Sequence, residues 1–237
     1  MREEKIARFT DYRLINRRAL YYLVYAPLFR ALEHAVEHYA AGDLLDIGCG
    51  NKPYEKMLEP RIGKYTGCDI IQSSENKVDI LCPANKIPLE TGTFDTVFST
   101  QTIEHVEDHQ GLVNEAFRLL KPGGHFILSG PLYWPLHEEP YDFFRFTKYG
   151  FEYILKKAGF EVAEVLPNGG SWATTGQSII HSYANVNPQA SWFLRFSKKV
   201  FFKLRFYVLI NWYYGWLDKR DYNPGNTMNY VIVAKKP

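Results

Sequence analysis

Cysteine is scarce in this chain and carries no pattern. Cys49, Cys68 and Cys82 form no Cys-x-x-Cys pair and no zinc-ligand spacing. A disulfide framework is thereby excluded, and reduced thiols in a cytoplasmic setting are expected. A charge imbalance is also missing. With 28 Lys and Arg against 26 Asp and Glu, the formal net charge is +2, which leaves no global attraction for nucleic acid. No uncharged apolar run reaches the roughly 18 residues of a membrane span. A secretory leader is not expected, because Arg8, Arg13, Arg17 and Arg18 interrupt every run that could form its apolar core. The His-Glu-x-x-His zinc pattern is absent: His105-Val-Glu-Asp-His109 misplaces its glutamate, and His34 and His38 share only the spacing. No metal is therefore expected. Repeats and low-complexity tracts are absent too.

What is present is ordinary globular composition, 46% hydrophobic and 23% charged over 237 residues, enough for one large core or a core with an appendage. From Tyr12 to about Tyr39 apolar residues recur at helical steps, with Pro27 as the place for a bend or break. The period then shortens. Strand patterns start at Asp43, Lys64, Val78, Phe94, Gly124 and Phe160, with a last one at Met228–Ala234. Helical patterns fall at His109–Leu120, which Lys121-Pro-Gly-Gly stops, and at Thr147–Ala158, which Gly159 closes. Strands alternating with helices predict a parallel sheet. Residues 168–227 are too long for a plain loop and too apolar for a linker. The expectation is an α/β, Rossmann-like seven-stranded, mostly parallel sheet with flanking helices. An N-terminal helical segment (residues 1–41) precedes a domain of residues 42–237, in which 168–227 is a helical insertion before the last strand.

Leu44-Leu-Asp-Ile-Gly-Cys-Gly-Asn51 is a strand running into a glycine turn. Missing side chains at Gly48 and Gly50 allow a sharp turn and let a ligand approach the main chain, although packing alone also uses Gly-x-Gly. Pro53 stands near the place where a dinucleotide fold needs its third glycine, so a pyrophosphate is disfavoured. Asp46, just before the turn, suits a ligand with a positive amino group. Asp69, 19 residues past Gly50, is positioned to accept from ribose hydroxyls.

LLDIGCGN, YTGCDI, IPLETGTFDTVFSTQTIEHV and NEAFRLLKPGGHFILSGP follow one another in order. Together they resemble the class I S-adenosylmethionine (SAM)-dependent methyltransferases, especially the broad type 11 small-molecule group, over about Leu44 to Leu166. The resemblance implies SAM as cofactor. It implies that Asp46, Gly48, Cys49 and Gly50 border its methionine moiety, that Asp69 binds the ribose with Ile70 against adenine, and that Gln101 lies beneath the sulfonium. Around Ala84 the chain departs from the family: Pro83 replaces a frequent acidic residue, so backbone is expected to meet the adenine amino group.

The stretch Pro131–Thr147 follows the GHFILS strand and should stand at the C-terminal rim of the sheet, where such folds bind ligands. There His137, Glu138, Asp142 and Arg145 sit among aromatics, a mixture suited to orienting a polar substrate. His105, His137, Asp142 and Arg145 are the catalytic candidates, the two histidines by type as bases. The competing reading is an Asp142–Arg145 structural pair, with Thr147 capping the next helix. The implied function is methyl transfer to a small-molecule, sugar or lipid-linked acceptor. The alternatives are another SAM- or nucleotide-using reaction on this fold, and an inactive SAM-binding regulator or partner subunit. Ser191–Leu217 reads as one basic amphipathic helix, with Arg195, Lys198, Lys199, Lys203 and Arg205 on one side. A lid, a homodimer helix and a peripheral membrane contact are its three readings.

Overall fold

A computed structural model describes residues 15–237; the start of the expected N-terminal helical segment lies outside the described residues. The chain divides into two compact units. One comprises Ala31–Leu166 and Tyr230–Pro237, and the other residues 15–30 and 167–229.

The first unit is built on a seven-stranded sheet of order β3-β2-β1-β4-β5-β7-β6. Its strands are β1 (Gly42–Ile47), β2 (Ile62–Asp69), β3 (Ile80–Leu81), β4 (Phe94–Thr100), β5 (Leu120–Pro131), β6 (Glu161–Asn168) and β7 (Asn229–Lys235). The pairs β1–β2, β1–β4, β2–β3 and β4–β5 are parallel. From β1 the chain first builds outward through β2 and β3, then returns to lay β4 on the other side of β1. That reversal opens a crevice at the strand ends, where ligands of open α/β sheets bind. Central strands read as unbroken apolar runs because both faces are covered: Leu44, Leu45, Val97, Phe98, Phe126 and Ile127 are wholly buried.

The covering helices carry their apolar residues on one stripe. α1 (Tyr22–Tyr39) keeps Pro27 inside an unbroken helix rather than ending there. α2 (Glu55–Leu58) is a single turn that sequence periodicity does not resolve. α3 (His109–Leu119) buries Leu112, Val113, Ala116 and Leu119 and is capped by Asp108, whose side chain accepts from Gly111 N–H. α4 (Lys148–Ala158) begins on Thr147, which accepts from Gly150 N–H at 3.1 Å, and ends on Gly159 at φ +101°. The Thr147 cap and the Gly159 stop are thus both present.

The second unit contains α5 (Ser171–Ala184), α6 (Trp192–Lys203) and α7 (Phe206–Arg220). The single helix expected over 191–217 is two helices, since Arg205 adopts φ +54° and breaks the hydrogen-bond ladder. α5 and α7 approach closely at Gly176, where a Cβ would lie 2.7 Å from that of Tyr214. Asp218 of α7 accepts from the N–H groups of Gly170 and Ala173 at 3.1 Å, satisfying the start of α5 from a distance in sequence.

Candidate functional site

The glycine turn begins where β1 ends. Gly48 and Gly50 both have positive φ, +80° and +48°. A Cβ at Gly48 would collide with the side chain of Thr102, so the turn needs glycine for space as well as for backbone angle. Cys49 is buried and points its thiol inward. Its Sγ lies 2.6 Å from where a Cβ on Gly67 would stand, and burial pushes the thiol pKa up. The Cys49 side chain is therefore not a reactive sulfur, and what this position could offer a ligand is main chain.

Two carboxylates flank this turn. Asp69 closes it: Oδ2 accepts from Gly50 N–H at 3.2 Å, and Oδ1 accepts from Ile70 N–H at 2.7 Å. Asp46 is only 2% exposed, and its Oδ2 accepts from the Tyr65 hydroxyl at 2.5 Å. Burial pushes the Asp46 carboxyl up to about 7; the Tyr65 bond opposes this, and the nearby Asp69 charge adds to it. The adjacent ammonium does not neutralise the pair directly. Lys52 Nζ is held by Asp79 at 2.7 Å, above the Tyr65 ring. Two acids beside exposed main chain suit a ligand with a cationic amino group and hydroxyls, and repel a pyrophosphate.

Beyond Asp69 the wall is apolar. Ile70 is 57% exposed, and Leu81, the register partner of Asp69, is 59% exposed. Ala84 instead packs partly against the core. Gln101 sits just past β4 at φ +50°, and its Nε2 donates to Ser129 Oγ at 3.1 Å.

The rim is a hydrogen-bonded clamp. Arg145 donates to both oxygens of Asp142, at 2.6 and 2.7 Å, and also to the carbonyls of Trp134 and Phe144. Burial alone would raise the Asp142 carboxyl; the Arg145 guanidinium and the His137 N–H outweigh it and hold the carboxyl at about 2. Asp142 also receives His137, with Nδ1 at 3.2 Å from Oδ2. The His137 ring meets that of His105 edge-on, with centroids 4.6 Å apart. His105 Nδ1 lies 2.7 Å from the carbonyl of Tyr141. The four catalytic candidates therefore form one cluster. His109, one turn past His105, is not in it and packs against Phe144 and Phe146.

Sequence reasoning missed the centre of this cluster. Glu104 lies in the 3-10 turn Ile103–His105 with its side chain 1% exposed, its Oε1 3.9 Å from His105 Nε2 and its Oε2 without a hydrogen-bond partner. Burial pushes its carboxyl up to about 8. The available signal was an acid next to His105 directly after β4. Tyr65 and Leu81 were also missed, since neither type marks a site by itself.

Comparison with known proteins agrees with this geometry. Residues 45–128 match the family model of a methyltransferase domain. A protein of Mycolicibacterium smegmatis named as a probable S-adenosylmethionine-dependent methyltransferase is 29% identical over 144 residues, covering 54% of this chain and 56% of the relative. A ubiquinone biosynthesis O-methyltransferase of Psychrobacter cryohalolentis is 27% identical over 132 residues, covering 49% of each. The chain spans about half the length of the curated relatives it matches. In fold, a SAM-dependent methyltransferase from Archaeoglobus fulgidus aligns with a TM-score of 0.55 at 16% identity, over 88% of this chain and 93% of that one. The ordered motifs, the sheet order and the matched domain agree: residues 45–128 are similar to a methyltransferase domain, carried on the fold of the class I SAM-dependent methyltransferases.

Proposed function

We propose that the protein transfers a methyl group from SAM to a small-molecule or lipid-linked acceptor. The observation that carries the reading is the glycine turn closed by Asp69 and backed by Asp46. Asp46 would face the cationic amino group, Asp69 would take the ribose hydroxyls, and Ile70 and Leu81 would flank the adenine. Gln101 would lie beneath the sulfonium, with its amide fixed by Ser129. SAM supplies an already activated methyl group, so the chain's task is chiefly alignment, which can contribute on the order of 7–11 kcal/mol.

The rim residues would orient the acceptor. A carbonyl or a carboxylate only accepts, so the Nδ1 atoms of His105 and His137 carry their protons toward Tyr141 and Asp142. The Nε2 lone pairs are what the neutral rings offer to an acceptor hydroxyl. Asp142 and Arg145 position His137. Calorimetry with SAM and S-adenosylhomocysteine tests the reading. Wild type should bind both, Asp69→Ala should bind far more weakly, and labelled SAM should deliver methyl to an acceptor pool. A protein that binds NAD and ignores SAM would overturn it.

A peripheral membrane role for the second unit is favoured by one feature. Trp192, Phe193 and Phe196 of α6 are 72%, 62% and 57% exposed beside exposed Arg195 and Lys199. Lys198 is not part of that basic surface, because its Nζ donates to the carbonyl of Ala184 at 2.6 Å. Among the described residues no helix is long and apolar enough to cross a membrane.

A further inference from the structure

We propose that Glu104, His105 and His137 form a binding site for a divalent first-row transition ion, of which Zn2+ is the model. One donor atom from each of the three lies within 4.8 Å of the others. Three further observations point to a ligand. First, Glu104 is 1% exposed, and its Oε2 has no hydrogen-bond partner, an arrangement that costs free energy unless something electropositive meets it. Second, both imidazoles are already oriented as metal ligands are. His105 spends its Nδ1–H on the Tyr141 carbonyl and His137 spends its own on the Asp142 carboxylate, leaving both Nε2 lone pairs available. Third, the outer partners are themselves fixed, since Asp142 is clamped by Arg145. Two imidazoles and one carboxylate are a ligand set for Zn2+ that keeps a coordination position open. The His137 side chain retains 25% exposure, which gives the site a route to solvent. The expectation of no metal rests on the His105/His109 and His34/His38 spacing, four residues apart in sequence; the present set joins a turn to a loop more than 30 residues away.

The loop that packs Thr102 on Gly48 runs straight into Glu104. An ion there would be placed to hold an acceptor oxygen and favour loss of its proton to solvent. This role rests on the methyl-transfer reading, whereas the ion site does not.

The test uses the full chain, stripped with chelator and titrated with Zn2+ by calorimetry, with Co2+ absorption as a second readout. Wild type should take up one ion per chain. Glu104→Gln and His137→Gln should each weaken binding by at least the about 10–100-fold typical of losing even an outer-shell partner, with cooperative melting retained. His34→Gln, in α1 outside the cluster, should change nothing. Sub-stoichiometric uptake would overturn the site. So would binding that survives both cluster variants or is lost in His34→Gln. Should Glu104→Gln fail to fold, His137→Gln and the Co2+ spectrum decide alone. SAM affinity measured on the stripped protein separates failure of the ion site from failure of the methyltransferase reading.

Discussion

Tyr65 donates a 2.5 Å hydrogen bond to Asp46, linking the second strand of the sheet to the carboxylate that precedes the glycine turn. The bond joins adjacent strands, in which Leu44 is the register partner of Tyr65 and Asp46 that of Gly67. It opposes the burial that pushes Asp46 up to about 7. A carboxylate near its titration point, beside a second acid, is poorly stabilised until a cation arrives.

The first prediction follows from that balance. S-adenosylhomocysteine should bind more tightly as pH rises through about 7, where Asp46 ionises. Asp46→Asn should remove that pH dependence and weaken binding about 10- to 100-fold, as expected for a lost hydrogen bond to a charged group. Stability should move the other way. A folded-state value raised above the ordinary one gives a contribution that is complete below about 3.8 and lost as pH rises through about 7. Asp46→Asn should therefore melt no lower than wild type at pH 8. A variant that loses binding and stability together at that pH would assign Asp46 to structure.

Gly48 tests the turn. Gly48→Ala should lose SAM binding and destabilise the fold twice over, by about 1–2 kcal/mol for the left-handed backbone and about 1–3 kcal/mol for overpacking on Thr102. Adding Thr102→Gly should restore the packing part and leave the backbone part. Chemical denaturation of the two single variants and the double variant checks this; a double variant no more stable than Gly48→Ala would remove Thr102 from the account.

The turn was legible in sequence because its backbone angles admit little but glycine. The strands beneath it were legible because burial on both faces forces apolar runs. Glu104 was not. It is buried because Phe143 and Phe144 return across it, donating their backbone N–H groups to its carbonyl, and no local pattern announces that contact. The break at Arg205 was hidden for a related reason. Lys203-Leu-Arg-Phe contains neither glycine nor proline, and the residue that takes the left-handed conformation is an exposed arginine.

The rim clamp gives a third prediction. Arg145→Ala leaves the Asp142 carboxylate buried without its guanidinium, and Asp142 has 1% of its side chain exposed. Breaking such a pair costs about 3–5 kcal/mol; the lower end is expected here because Arg145 itself is partly in solvent. Turnover should fall while S-adenosylhomocysteine affinity stays within a few-fold. Arg145→Lys should rescue little, because one ammonium cannot replace a bidentate fork that also holds three carbonyls. Equal loss of cofactor affinity in both variants would contradict the division between turn and rim.

Acid should strike the second unit through His181. Its ring lies against Tyr21, is 5% exposed, and is held by burial at about 4, below the usual 6.5. A depressed folded value gives stability that is present above 6.5 and lost as pH falls toward 4. At about 1.4 kcal/mol per pH unit the full loss is about 3 kcal/mol. His181→Gln should flatten melting temperature against pH between those limits. An unchanged profile would mean that another group governs acid unfolding.

The exposed face of α6 supports the final prediction. Solvent-exposed Trp192, Phe193 and Phe196 adjoin one another, the kind of contiguous apolar patch that marks an interaction surface. Such residues beside Arg195 and Lys199 are what an interfacial helix inserts and what its cationic partners anchor to anionic headgroups. Lys198 is already committed to the Ala184 carbonyl, so charge reversal there would disturb the fold rather than the surface. The informative variant therefore reverses Arg195, Lys199 and Lys203 only, all of them exposed. Wild type should sediment with anionic vesicles at low salt and release as salt shortens the screening length to about 8 Å at physiological strength. The reversed variant should stay in the supernatant with unchanged melting, and Trp192→Ala with Phe196→Ala should bind less at every salt concentration. Wild-type protein that stays in the supernatant, yet changes oligomeric state when Trp192 and Phe196 are removed, would give this face to a second copy of the chain instead.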